Sequence, residues 1–323
     1  MTPALMTRRR LLQAGAAAAI AVPSLAMFTR GHGRLLRIGH QKGYLSLLRQ
    51  RRTVEQRLAP LGVAVRWTEF PAGPVQLEAL NAGAIDFGDV GEAPPIFAQA
   101  AGAPLAYIAA SQHRPQAEAV VVPRHSPITR VQQLRGKRIA LNKGSNVHYF
   151  IVKLFEHHGL RQSDLNLVYL SAADARAAFE NGAIDAWVIW DPILAGVQRS
   201  LQARILADAT GVAGNRAYYF SSHDYAAGNA DILAIVIDEI RRIDHWAAAN
   251  RSALAAELAA LWGLPLPVSE LAETRTTYGT VAITADILAE QQRIADTFLA
   301  LKLIPRPVRI ADAATAIVPM VPL

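Results

Sequence analysis

Gln76-Leu77-Glu78-Ala79-Leu80-Asn81-Ala82-Gly83-Ala84-Ile85-Asp86-Phe87 decides the fold, because the chain later repeats its pattern. The second copy is Ala175-Arg176-Ala177-Ala178-Phe179-Glu180-Asn181-Gly182-Ala183-Ile184-Asp185-Ala186-Trp187. Each copy reads as a helix, a glycine just past its last turn, and then a strand. Glycine at that point takes the left-handed conformation that ends a helix without steric penalty. The apolar run that follows suits a strand buried on both faces. Two such units, sharing Gly-Ala-Ile-Asp, predict two lobes of similar architecture.

Working outward, strand-like segments at 35–39, 63–70, 85–90 and 105–111 enclose helical stretches near 43–58, 74–82 and 92–101. A second series has strands near 119–122, 138–141, 167–170, 184–190 and 217–221, with helices near 145–158, 173–181 and 191–200. This alternation predicts an α/β protein whose parallel sheets are covered by helices on both faces. From about Asp231 strand signals vanish, and 232–249, 252–262, 267–274 and 284–301 carry helical apolar spacing. That tail is expected to pack against the first lobe. The stretch 313–323 is apolar and proline-punctuated and is assigned no structure. The expected division is 34–117 with 222–323 as a discontinuous first lobe, and 118–221 as the second.

The N-terminus reads as an export signal spanning 1–26. Thr7-Arg8-Arg9-Arg10-Leu11-Leu12-Gln13 is a basic head, 14–22 is uncharged, and Pro23-Ser24-Leu25-Ala26 offers small residues for cleavage. The apolar part is shorter than the roughly 20 residues a membrane span needs. Paired arginines before Leu-Leu fit the twin-arginine type, and cleavage is expected after Ala26. Losing this segment removes three arginines and no acid, so the formal net charge falls from +7 to +4. The remaining basic residues are scattered among acids, which argues against nucleic-acid binding. There are no cysteines. Disulfides, thiol nucleophiles, Cys-based zinc sites and a lipid-anchored mature terminus are therefore not expected.

In open α/β sheets, ligands sit beyond the carboxyl ends of the strands. Those ends are His40-Gln41-Lys42-Gly43, Asp89-Val90-Gly91-Glu92-Ala93-Pro94, Asn142-Lys143-Gly144-Ser145-Asn146 and Trp190-Asp191-Pro192. Lys143-Gly144-Ser145-Asn146 opens a helix with hydroxyl and amide caps expected, and Gly91-Glu92 precedes another with prolines in its first turn. Free N–H groups and the positive dipole end make such positions anion sites. Trp190 can wall an apolar ligand tail. Asp191 would repel an anion unless neutralised, with Lys42, His148 and Arg275 as possible partners. Catalytic signals are missing: the chain has no G-x-S-x-G elbow, P-loop or H-E-x-x-H. His157 and His158 are adjacent on a helix, point about 100° apart and cannot share a metal from one face. Ser145 and His148 have nucleophile–base spacing but no third orienting residue.

Arg37-Ile38-Gly39-His40-Gln41-Lys42-Gly43, Glu69-Phe70-Pro71-Ala72-Gly73-Pro74 and Pro94-Pro95-Ile96-Phe97-Ala98-Gln99-Ala100-Ala101-Gly102-Ala103 carry a resemblance over nearly the whole mature chain. Ala173-Asp174-Ala175-Arg176-Ala177-Ala178-Phe179 and Asp185-Ala186-Trp187-Val188-Ile189-Trp190-Asp191-Pro192 extend it. The sequence resembles the aliphatic sulfonate-binding proteins, periplasmic components of alkanesulfonate ABC importers. It is also similar to their taurine- and nitrate-binding relatives. The resemblance implies a type II periplasmic-binding-protein fold, two doubly wound α/β lobes with a ligand cleft between them. It implies an alkanesulfonate ligand, a transporter permease as partner, no cofactor, and a soluble periplasmic monomer. The contacts it implies are Gln41, the Gly91 and Glu92 amides, Ser145, Asn146 and Trp190, with His148 and Arg275 beside them; Asp191 joins them from its strand end. A sulfonate stays ionised and presents three acceptor oxygens, so burying it requires donors for each. The competing readings are taurine, nitrate or an aromatic sulfonate as ligand, and an enzyme of pyrimidine or thiamine metabolism on the same fold.

Overall fold

The structure, a computed structural model, describes residues 34–314. The expected export signal and the last apolar residues lie outside the described residues. The first half runs β1 (Leu35–His40), α1 (Tyr44–Arg51), α2 (Thr53–Leu58), β2 (Ala64–Glu69), α3 (Gly73–Asn81), β3 (Phe87–Gly91), α4 (Pro94–Ala100) and β4 (Leu105–Ser111). There follow β5 (Glu118–Val122), β6 (Arg138–Leu141), α5 (Asn146–His157), β7 (Asn166–Tyr169), α6 (Ala172–Glu180), β8 (Ala186–Trp190), α7 (Ile193–Leu201) and β9 (Arg204–Asp208). The chain ends with β10 (Ala217–Ser222), α8 (His223–Gly228), α9 (Ala230–Ala249), α10 (Arg251–Trp262), α11 (Leu266–Glu273), β11 (Thr280–Val281) and α12 (Ala285–Ala300).

Two sheets form, ordered β11-β4-β10-β3-β1-β2 and β7-β6-β8-β5-β9. β1, β2 and β3 pair in parallel, as do β6, β7 and β8. The predicted all-parallel sheets need correction. β10 runs antiparallel between β3 and β4, and β5 runs antiparallel between β8 and β9. Each sheet thus has a returning strand slotted beside the third of its parallel strands, and the two sheets share one topology. β10, read from sequence as the last strand of the second series, belongs to the first sheet. Its apolar run is equally suited to either sheet, and only the path of the chain decides. The short β9, β11 and α8 were not anticipated.

The repeated Gly-Ala-Ile-Asp has a physical explanation. Asp86 accepts from the backbone N–H of Arg37 at 2.8 Å and from that arginine's Nε at 2.9 Å. Asp185 accepts from the N–H of Arg138 at 2.8 Å and from its Nε at 3.3 Å. Each arginine also reaches the carbonyl of the helix-ending glycine, Gly83 or Gly182. The motif therefore fastens a helix–turn–strand unit to the first parallel strand of its sheet, once per lobe.

Apolar side chains cover both faces of both sheets. On the first sheet, Leu36, Ile38 and Phe87 meet Ile232, Val236 and Leu258 of the helical tail. The other face buries Tyr107, Tyr218 and Phe220 against Phe298 of α12. On the second sheet, Val120 and Leu141 pack on Phe150 and Ile151 of α5, while Trp187 and Ile189 pack on Phe179 and Leu194. The tail does pack against the first lobe, and α11 reaches further. Its Val268 and Ala272 bury Ala195 of α7.

Candidate functional site

Segments 112–117 and 209–216 cross between the sheets. Beside them the end of β3 meets the loop after β1 and the start of α5, and Asp191 N–H donates to the Ala117 carbonyl of the first crossover. The loop after β6 enters α5 through Gly144, whose φ of +75° is open to glycine and strained for other residues. Phe97 of α4 lies 3.6 Å from where a Cβ would stand. Ser145 occupies the N-cap position of α5 without capping it, which corrects the expectation. Its hydroxyl turns back to donate to the Asn142 carbonyl at 2.7 Å. Asn146 does not cap either; its amide reaches across to the other lobe, where Oδ1 accepts from Ala93 N–H at 3.3 Å. The 12-residue α5 thus begins with no side-chain cap and no acid in its first turn, leaving dipole and N–H groups to other partners.

Gly91 ends β3 directly beneath that amide. A Cβ there would stand 2.0 Å from Asn146 Oδ1, so only glycine admits the approach. Gln41 follows β1 and donates from Nε2 to the Asp89 carbonyl at 3.2 Å, retaining a second N–H. Glu92 is fully buried; Oε2 accepts from Arg216 N–H at 3.0 Å, and Oε1 has no partner among the described residues. Trp190 is half-buried between the two cores of the second sheet, and its β8 position pairs with Glu118 of β5. Asp191 accepts from Ala195 N–H at 2.9 Å, capping α7, and forms an ion pair with Arg275 at 2.9 Å. Of the three partners considered, Arg275 is the one. Lys42 instead donates to the Trp262 carbonyl at 2.9 Å.

His148 and Ser145 are not a nucleophile–base pair. The His148 Nδ1 accepts from Gly144 N–H at 3.3 Å, so a neutral ring carries its proton on Nε2. Burial and the nearby Lys143 charge push this imidazole down to about 4, and its ring lies 5.5 Å from Tyr169 and 6.0 Å from Phe298. No group of three or more candidate metal ligands occurs among the described residues.

Sequence reading missed three groups. Asp89 Oδ1 and both oxygens of the fully buried Glu118 lack partners among the described residues, and so does Nε of Arg114 in the first crossover. Burial pushes Asp89 up to about 7 against the pull of Arg114. Burial, with Glu92 nearby, pushes Glu118 well up. Burial thus favours the neutral form of both, and a neutral carboxyl does not repel an anion. A further omission is the mouth of the cleft. A groove of about 260 Å³ has Ala72, Pro74 and Val75 on one side and Asn142, Lys143 and Tyr169 on the other. Val75 and Tyr169 are large hydrophobic residues left exposed there. No local sequence signal marks any of these, since each depends on which segments the crossovers bring together.

Two like lobes joined by two crossovers, with donor-bearing loops facing across the gap, define a two-lobed solute-binding protein. A family model described as NMT1/THI5 like matches residues 61–252. The aliphatic sulfonates-binding protein of Escherichia coli is 35% identical over 305 residues, 94% of this chain and 95% of that one. The alkanesulfonate-binding protein SsuA of Xanthomonas axonopodis pv. citri, solved bound to MOPS, is 38% identical. It superposes with a TM-score of 0.82 over 87% of this chain and 98% of its own. The periplasmic aliphatic sulphonate binding protein SsuA of Escherichia coli gives 37% and 0.81, over 87% and 97%. The chain belongs to the NMT1/THI5-like family, in its branch of aliphatic sulfonate-binding proteins.

Proposed function

We propose that this protein captures aliphatic sulfonates in the periplasm and delivers them to an ABC importer. The observation that carries the reading is the uncapped start of α5, which meets the β3–α4 turn across the cleft, with Gln41 bonded to Asp89 of the same strand end. A sulfonate needs several donors around a permanently charged tripod, and these are neutral, rigidly held donors. The second N–H of Asn146 and the second N–H of Gln41 supply them alongside first-turn amides, and the Ser145 hydroxyl joins them by turning from the Asn142 carbonyl to the anion. Gly91 and Glu92 shape the opposite wall, His148 and Trp190 flank it, and the Asp191–Arg275 pair closes one end with its charge already balanced. The apolar groove between Val75 and Tyr169 takes the tail.

Of the described residues, 34–117 with 217–314 make one lobe and 118–216 the other. The protein is exported through the 1–26 signal and acts as a soluble monomer without a lipid anchor, its partner a membrane permease. Among the described residues no helix is long and apolar enough to cross a membrane. The test is calorimetry with ethane-, hexane- and octanesulfonate and with MOPS, in phosphate buffer. Saturable heats with at least one chain length are expected. Silent titrations across the whole series would sink the proposal.

A further inference from the structure

Asn146 is one link of a hydrogen-bonded relay that crosses the cleft and ends in the crossovers. Ala93 N–H donates to Asn146 Oδ1 at 3.3 Å. Asn146 Nδ2 donates to Asn215 Oδ1 at 2.8 Å, and Asn215 Nδ2 donates to the Arg114 carbonyl at 2.9 Å. Arg114 N–H in turn donates to the Gly214 carbonyl at 3.0 Å, tying one crossover to the other. The direction of the relay is fixed at both ends. A backbone N–H can only donate, so oxygen of Asn146 must face Ala93. A backbone carbonyl can only accept, so nitrogen of Asn215 must face Arg114. Both amides are therefore held in one orientation.

That orientation matters for an anion. With Oδ1 turned to Ala93 and one Nδ2 hydrogen given to Asn215, the other Nδ2 hydrogen is what Asn146 offers the cleft. A flipped amide would present its oxygen to the sulfonate and repel it. Asn215 is buried, with 5% of its surface exposed, and sits at φ +52°, a conformation asparagine tolerates better than most residues.

We propose that Asn215 is a positioning residue for anion binding, which holds the Asn146 amide with its N–H toward the cleft and couples it to both crossovers. The inference rests on the sulfonate reading of the cleft. Its test is a double-mutant cycle with MOPS as probe, read by calorimetry in phosphate buffer. The variants are Asn215→Gly, which keeps the positive φ available, Asn146→Ala, and the two together. Asn215→Gly alone should weaken MOPS binding by about tenfold. In the Asn146→Ala background it should change affinity less than about twofold, because the group it positions is gone. Equal losses in both backgrounds would assign Asn215 a general structural role and overturn the proposal. So would an Asn215→Gly protein that binds like the wild type. If circular dichroism shows Asn215→Gly unfolded, Asn215→Ser takes its place in the cycle with the same expectations. A wild-type protein that binds neither MOPS nor any alkanesulfonate overturns both readings; one that binds with an additive cycle overturns this one alone.

Discussion

At the scale of single residues, a carboxyl in a dry interior without a donor is poorly stable as an ion. Glu118 is in that position, with neither oxygen partnered among the described residues and with Glu92 beside it. Asp89 and Glu92 are pushed up to about 7 and Asp244 to about 6, burial leading in each. A raised carboxyl binds its proton more tightly in the folded chain than in the unfolded one. Between about pH 4 and 7 the folded state therefore holds extra protons, and stability falls as pH rises through that window. His148, pushed down to about 4, has the opposite sign: its contribution falls as pH drops from about 6.5 to 4. Several carboxyls outweigh one imidazole, so denaturant midpoints should be higher near pH 5.5 than at pH 8. Glu118→Gln removes the buried acid. Its melting temperature should exceed that of the wild type by roughly 2–4 °C at pH 8 and by little at pH 5. An equal gain at both values would show that ionisation is not the cause.

At the scale of elements, the repeated Gly-Ala-Ile-Asp and the apolar periodicities were legible because each depends only on neighbours in sequence. The expected helix 43–58 was legible in extent but not in continuity. It breaks at Arg52, which adopts φ +55° between α1 and α2. Neither glycine nor proline marks the spot. The break lets Leu45 and Leu48 on one side, and Val54 and Leu58 on the other, all enter the same core. Arg52→Gly should relieve the left-handed conformation and stabilise the protein by about 0.5–1 kcal/mol in denaturant melts, and any loss would argue against strain there.

The junction of α7 and α11 is another element-level feature that sequence listed as alternatives without choosing. Asp191 and Arg275 have side chains 8% and 10% exposed, so each depends on the other for its charge. Arg275→Met strands a buried carboxylate and should cost about 3 kcal/mol by chemical denaturation. Adding Asp191→Asn should recover much of that loss, whereas further loss would mean that Arg275 acts through packing alone. The strand-end loops that form the cleft were readable from sequence, since helix starts and glycines announce them. Partner choice inside the cleft was not. Asn215 and Arg114 lie on crossovers whose adjacency only the folded chain creates.

At the scale of the whole molecule, the lobes meet across a cleft, and Gly91 sets how closely they can approach there. The two crossovers are tied by Arg114 and Gly214, which makes the link between the lobes a short, hydrogen-bonded waist. On the cleft side the approach is limited by backbone at Gly91 against the Asn146 amide. Gly91→Ala places a methyl group 2.0 Å from Asn146 Oδ1. Either the amide swings away, breaking its links to Ala93 and Asn215, or the lobes stand further apart. Both outcomes remove the arrangement in which donors from two lobes meet one anion, so MOPS affinity should fall by about tenfold or more. Stability of the unliganded protein should change by less than about 1 kcal/mol, because Gly91 does not need a positive φ and alanine restricts the unfolded chain. The stabilisation expected of MOPS on the wild type, about 2.7 kcal/mol at a hundred times Kd, should shrink accordingly at the same concentration. In an Asn146→Ala background the three atoms nearest the methyl group are gone, and Gly91→Ala should then cost little further affinity. If Gly91→Ala binds MOPS as tightly as the wild type, the amide moves freely and close approach at this point is not what makes the site.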